Sequence, residues 1–421
     1  MRILWIIDFE YGPRFHHGGY LRFFNFAPQL IAQGHSVTFV VNFTDPDPRP
    51  SIEYLRNLKT QGVFTDFVEA TYEVPLWRRR VSARLIYPGL MNMVLRGNQR
   101  RHADRVDAIA RERGSDVIIL TSRCYFIAQE SRGGLPFVYD VVDSLTLYAR
   151  RQLGALLKAR NFVGFLRALE PSLLRCAFEY YYARKPVMKI VVSPADKEAI
   201  DRVSGNPRMS TVILNGVKDG APRHKYPKVP GRLIFTGNMD FPPNCEAAFW
   251  FLDRVFPLIV EKRPDACFVI AGANPIPELL QRQSKNVRVT GFVDDMNAEL
   301  ASSEIYVAPL VSGGGFKNKV LEAIVNHTPV IATSIAVEFL SWQMRDLVTV
   351  ADSPEEMARA VIAGLADPLA LELRGKALYE TVTAQFGWAG QASKLADVAL
   401  KAVAQQLSRG AADAHARTRP W

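Results

Sequence analysis

Short unbroken runs of β-branched and aliphatic residues, each followed by a longer amphipathic stretch, constrain this chain more than any other feature. A first series falls at residues 2–7, 36–41, 116–120, 137–141, 189–193 and 211–214, with amphipathic segments such as 21–32 and 104–113 between them. A second series falls at 232–235, 267–271, 287–290, 304–308 and 329–332. A strand that is apolar on both faces belongs in a parallel sheet covered by helices on each side. Between the series lies NGVKDGAPRHKYPKVPG, residues 215–231, rich in Pro, Gly and charge, which reads as a linker. The fold class is therefore α/β, with two doubly wound parallel-sheet domains, 1–214 and 232–385. The 421 residues suit two cores of roughly 200 each.

With 48% hydrophobic and 22% charged residues the composition is that of a globular protein. The start MRILWIIDFE has too short and too acidic an apolar run for a signal peptide, and no segment approaches the roughly 20 apolar residues of a membrane span, so a cytoplasmic protein is expected. The four cysteines are scattered and read as reduced thiols. The net charge of +10 is lopsided: residues 1–200 hold 28 Lys and Arg against 19 Asp and Glu. Residues 74–103 contain seven arginines and no acid, interleaved with apolar residues from Trp77 to Leu95. That mixture fits either a helix on an anionic membrane surface at the inner face or a solvated basic face over ordinary core. No nucleic-acid motif accompanies it, so nucleic acid is not expected as a partner.

SGGGFKNKVLEA, residues 312–323, carries the chemistry. It follows a strand and opens a helix, the position at which doubly wound domains bind ligands. Gly313, Gly314 and Gly315 let the backbone approach a phosphate, Lys317 and Lys319 supply full charge, and Glu322 is a carboxylate suited to ribose hydroxyls. The alternative is a plain solvent loop. Neither a P-loop nor G-x-G-x-x-G after the first strand is present.

The string GGGFKNKVLEAIVNHTPVIAT resembles the signature of family 4 retaining glycosyltransferases of the GT-B fold. LIFTGNMDFPPNCEAAFWF, FVIAGANP, VRVTGFVDD, VVSPADKEAI and ILNGV surround it in the family's order. The likeness is greatest to the transferases found with exosortase-linked exopolysaccharide clusters. The resemblance implies two Rossmann-like domains facing a cleft, with a helix at 386–408 crossing back to the first domain and a tail at 409–421. Glu322 matches the ribose-binding second glutamate of an E-x7-E motif. The first would stand at Gly314, so this sequence departs from the pattern there. Lys317 and Lys319 match catalytic basic positions at the pyrophosphate. Gly313 to Phe316, Val320 and Leu321 belong to the same donor-binding element. Gly237, Asn238 and Asn244 replace the family's GRLxxxKG cations, leaving the charge to Lys317 and Lys319, while Gly291, Phe292 and Val293 line the nucleobase. On the acceptor side fall Gly18, Gly19, His17, Ser122 and Arg123. Asp143 lies where relatives put a catalytic His or Asp beside the sugar, an N-cap for the next helix being its other reading. His16 and His17 could serve as proton shuttles, but a loop histidine is more often a hydrogen-bonding surface residue.

The resemblance thus implies a transferase using a nucleotide-diphosphate sugar, a glycan or lipid-linked acceptor, and no metal or other cofactor. Asp45-Pro46-Asp47 spells a metal-binding DxD, but its proline-laden setting reads as a turn. The alternatives are a nucleotide-sugar 2-epimerase and a non-catalytic nucleotide-sugar-binding protein.

Overall fold

The computed structural model describes residues 1–9, 18–43, 47–70, 88–121, 124–158, 160–217, 225–312 and 317–417. Its two sheets are wholly parallel between paired strands. The first contains β1 (Arg2–Phe9), β2 (Ser36–Phe43), β3 (Asp66–Glu69), β4 (Val117–Thr121), β5 (Phe137–Val142), β6 (Met188–Val191) and β7 (Ser210–Val212), in the order β3-β2-β1-β4-β5-β6-β7. The second contains β8 (Val229–Thr236), β9 (Cys267–Ala271), β10 (Val287–Val289), β11 (Ser303–Ala308), β12 (Val330–Ala332) and β13 (Thr349–Val350), in the order β10-β9-β8-β11-β12-β13. Every strand expected from the sequence is present. The two not expected, β3 and β13, are short edge strands, four residues with an acid at each end and two residues, which give no continuous apolar run.

Helices include α1 (Gly18–Ala32), α2 (Leu145–Lys158), α3 (Phe162–Ala183), α4 (Pro194–Ser204), α5 (Pro242–Trp250), α6 (Asn318–Val325) and α7 (Trp388–Arg417). Local chemistry sets their ends. Ser193 caps α4 by accepting from the Asp196 N–H, and Gly205, at φ +67°, ends it in the left-handed conformation.

The chain divides into two compact units. The first comprises residues 1–150, 163–216 and 388–421; the second comprises 151–162 and 217–387. Residues 151–162 thus pack with the second unit, although they lie inside the stretch read as the first domain. The terminal helix begins at Trp388 rather than 386 and continues to Arg417, beyond the expected end at 408. Within the first unit its Trp388 packs edge-on against Phe26 at 5.0 Å, and Ala392, Leu395 and Ala399 join the core of β1 and β2. Gly216 is obligatory there, because a Cβ would lie 2.4 Å from the Trp388 indole.

A buried ion pair holds α1 to its sheet. Arg22, only 1% exposed, donates from Nε to Asp140 at 2.9 Å, from Nη1 to Asn215 at 2.7 Å and from Nη2 to the Ile213 carbonyl at 2.9 Å. Burial lifts the Asp140 carboxyl and Arg22 pulls it back. Removing one member strands a charge away from water, so Arg22→Ala should lower unfolding free energy by about 3–5 kcal/mol in denaturant titration. A loss near zero would show that water replaces the guanidinium.

Candidate functional site

In the second unit the carboxyl ends of β8, β9 and β10 are drawn together by backbone contacts. The N–H groups of Gly237 and Met239 donate to Ala271 and Ala273, and that of Gly272 donates to Gly291 at 3.1 Å. Gly272, at φ +144°, admits no side chain: a Cβ would sit 1.9 Å from the Gly237 carbonyl oxygen. Asn244, in the first turn of α5, donates to the Asn238 carbonyl at 2.8 Å and accepts from Lys319. A Cβ on Gly237 would lie 2.6 Å from Asn244 Nδ2 and 3.1 Å from Lys319 Nζ, so this glycine makes room for the pair.

Lys319 stands in the first turn of α6, with its ammonium also 4.9 Å from the Phe235 ring. Burial, with repulsion from Lys317 adding to it, pulls its pKa from 10.5 down to about 7, against an opposing pull from Glu322. Glu322 is exposed by area yet crowded by protein on its flanks. The crowding lifts its carboxyl, Lys319 draws it down, and contact with water limits the rise. Lys317 is buried, with Nζ 3.9 Å from Glu338; Glu338 is itself clamped by Arg151 through two contacts of 2.7 and 2.5 Å.

Gly237, Asn238, Gly291, Lys317, Lys319 and Glu322 thus share one edge of the second sheet. Phe292 is exposed beside Gly291, with Val293 half-buried next to it. Val320 and Leu321 lie in the core, so any contact they make with a ligand is through backbone. Gly313, Gly314, Gly315 and Phe316 lie outside the described residues. Sequence reasoning missed Gly272, Glu246, Glu338 and Arg151. Glu246, on α5, accepts from Ser312 Oγ at the threshold of the glycine-rich loop. Only the contacts themselves reveal these four.

In the first unit Gly18 and Gly19 open α1 after β1, and Asp143 follows β5 at the same sheet edge, exposed to solvent. Val142 before it has φ +65°, a conformation a β-branched residue adopts only under constraint, beside a break in the β5–β6 register. The N-cap reading of Asp143 is corrected. Ser144 caps α2, accepting from the Leu147 N–H at 3.1 Å, and buried Glu179 receives the Leu145 N–H at 2.5 Å. His16, His17, Ser122, Arg123 and Asp45 fall outside the described residues. Asp47 is engaged through both carboxylate oxygens by Arg49, as in a local turn. Among the described residues no cluster of three His, Cys, Asp or Glu could hold a metal ion.

Residues 230–367 match the profile of the family described as Glycosyl transferases group 1. That stretch contains Gly237, Asn244, Gly272, Lys319, Glu322 and Glu338. An uncharacterised 44.6 kDa protein in the cps region of Klebsiella pneumoniae is 27% identical over 139 residues, 31% of this chain and 36% of that protein. A phosphatidyl-myo-inositol mannosyltransferase of Propionibacterium freudenreichii is 30% identical over 164 residues, 37% of this chain and 40% of that enzyme. The chain therefore spans well under half the length of these curated relatives.

Structural likeness extends further. Anabaena HepE, solved with UDP and glucose, superposes with a TM-score of 0.64 at 13% identity over 94% of this chain and 98% of its own. TarM gives 0.64 at 10% identity, over 94% and 98%. Sucrose-phosphate synthase of Thermosynechococcus elongatus gives 0.61 at 14%, over 96% and 99%. The fold is GT-B. At such identities the likeness is one of fold alone.

Lys319 should titrate near pH 7 when followed by NMR of labelled lysine, and Glu322→Gln should lower its midpoint further. Its folded pKa lies below its unfolded value, so the unfolded chain binds more protons between about pH 7 and 10.5, and this group's contribution to stability rises with pH across that window. A midpoint above pH 9 would contradict the burial argument.

Proposed function

We propose that this protein is a retaining, metal-independent glycosyltransferase of family 4 that moves a hexose from a nucleotide-diphosphate sugar to a glycan or lipid-linked acceptor. Polysaccharide or glycoconjugate biosynthesis on the cytoplasmic side is the setting this reading implies. The observation that carries it is the environment of Lys319: an ammonium at the opening of α6, fixed by Asn244 and Phe235, within the stretch that matches the transferase profile.

Glycosyl transfer of this kind needs stabilisation of the negative charge that grows on the departing diphosphate. Lys319 and the first N–H groups of α6 suit that task, with Lys317 supplying further positive charge beside Glu338. Glu322 would accept from the ribose hydroxyls, and Phe292 would meet the base. The leaving phosphate can take the proton of the attacking hydroxyl, so no protein nucleophile is required. Position 314 offers no carboxylate for the transferred sugar; Glu246, beside Ser312, is the acid on hand to replace it. Asp143 and the glycines at the head of α1 would serve the acceptor side. HepE was solved with UDP, so UDP-sugars are the first donors to assay.

Incubating the protein with a panel of sugar nucleotides and a lipid extract, then identifying products by mass spectrometry, tests the reading directly. Donor altered without any acceptor would favour the epimerase. Binding without turnover would favour a non-catalytic binder, a reading encouraged by the glycine at 314.

Glu322→Ala should weaken nucleoside diphosphate binding by about 1–3 kcal/mol in calorimetry, the cost of losing a charged hydrogen-bond partner. Unchanged affinity would remove Glu322 from the site. An anion beside Lys319 raises its pKa, so binding takes up a proton and affinity should fall as pH rises above about 7.

Turnover should survive EDTA, because the pyrophosphate charge is met by lysines and backbone. Abolition by chelator with rescue by Mn²⁺ would restore a metal-dependent mechanism.

A further inference from the structure

We propose that the outward face of α3 is a docking surface for an anionic lipid bilayer. One face of this helix is committed to the first unit: Ser172, Glu179, Tyr182 and Ala183 are buried, and Phe178 and Tyr182 make ring contacts with Tyr125 and Tyr139 at 4.9 and 5.0 Å. A second apolar row is left in solvent. Phe162, Leu166, Leu173 and Tyr180 are 64, 68, 60 and 54% exposed, with Val163 beside them at 61%. At 100° per residue the spacing of the first four keeps them within about 40° of one line. Half-buried Leu169 and Cys176 continue that line, which runs for roughly 27 Å. Single exposed apolar residues need no explanation, but a contiguous row does.

Charge decides what covers it. From Arg160 to Lys185 the sequence has five Lys and Arg against two Glu and no Asp. Glu179 is one of the two and is buried. Arg160 just before the helix, Arg184 at its end and Arg167 a quarter-turn or more from the row are exposed, with Glu170 the exposed acid. A second copy of this face would oppose like charges, whereas an anionic bilayer accepts both the cations and the side chains between them. No described helix is long and apolar enough to cross a membrane, so the contact would be peripheral. The surface is distinct from the arginine stretch at 78–101, much of which lies outside the described residues. It deepens the transferase reading by naming where a lipid-linked acceptor would be met, and rests on that reading only for the acceptor.

The full-length protein is sedimented with vesicles of phosphatidylcholine alone and with about 30% phosphatidylglycerol added, and UDP binding is measured in parallel by calorimetry. Binding is expected only to the anionic vesicles, weakening as salt rises from about 50 to 500 mM. The double change Leu166→Ser with Leu173→Ser should reduce it by roughly tenfold or more, and Arg160→Ser with Arg167→Ser by a smaller factor. Both pairs are exposed, so melting temperature and UDP affinity should stay at the wild-type values. Three results overturn the proposal: no wild-type binding to anionic vesicles, full binding by the leucine variant, or self-association that the leucine variant abolishes, which assigns the face to a second copy. Failure of the wild type to bind any of a panel of nucleoside diphosphates would instead sink the transferase reading and leave the vesicle result standing.

Discussion

The close approach of two backbones, at Gly237 and Gly272, governs the second unit. With no room for even a methyl group between them, the loops after β8 and β9 share hydrogen bonds rather than splaying apart. Asn244 then reaches both the β8 loop and the first turn of α6, and Lys319 becomes the fixed point of the edge. Its ammonium is held where water cannot solvate it fully, which depresses its affinity for a proton. A lysine on an open loop would carry its full charge and solvation shell, and a phosphate would gain little by displacing that water. The packing of two glycines thus becomes an electrostatic property of a side chain far along the chain.

The same logic runs through Lys317. A buried lysine needs a counter-charge, and Glu338 provides one, held in turn by Arg151. The bidentate arginine fixes the carboxylate more firmly than one lysine could. In the first unit, Arg22 plays a structural part with comparable economy: one guanidinium joins α1 to β5 and to the segment after β7. Because α1 begins with Gly18 and Gly19, that anchoring also sets where the glycines sit at the sheet edge. Val142, strained at the end of β5, turns the chain so that Asp143 is presented to solvent while the neighbouring Ser144 and Glu179 satisfy the start of α2.

Much of this was legible in the residues. Continuous apolar runs such as 117–121 and 267–271 can only be strands covered on both faces, so their number and alternation with helices gave both sheets. The glycine-rich loop, its lysines and Glu322 stood out because bare backbone, two cations and a carboxylate follow one another where a strand gives way to a helix. The edge strands escaped because four residues, two of them acidic, carry no burial pattern, as in Asp66–Glu69. Residues 151–162 were assigned to the wrong unit because an amphipathic helix does not reveal which core its apolar face will meet.

The sequence by itself determined the two parallel sheets, the position of the glycine-rich loop and the identity of its charged residues, because periodicity and turn chemistry are local. Tertiary structure alone decided that Lys319 meets Asn244, that Lys317 answers to Glu338 and Arg151, and that α3 turns a second apolar row to solvent. Each of these joins residues or faces far apart in the chain, or depends on what covers a surface. Burial, which sets the charge state of Lys319 and leaves Leu166 and Leu173 exposed, is a property of the packed whole rather than of any segment.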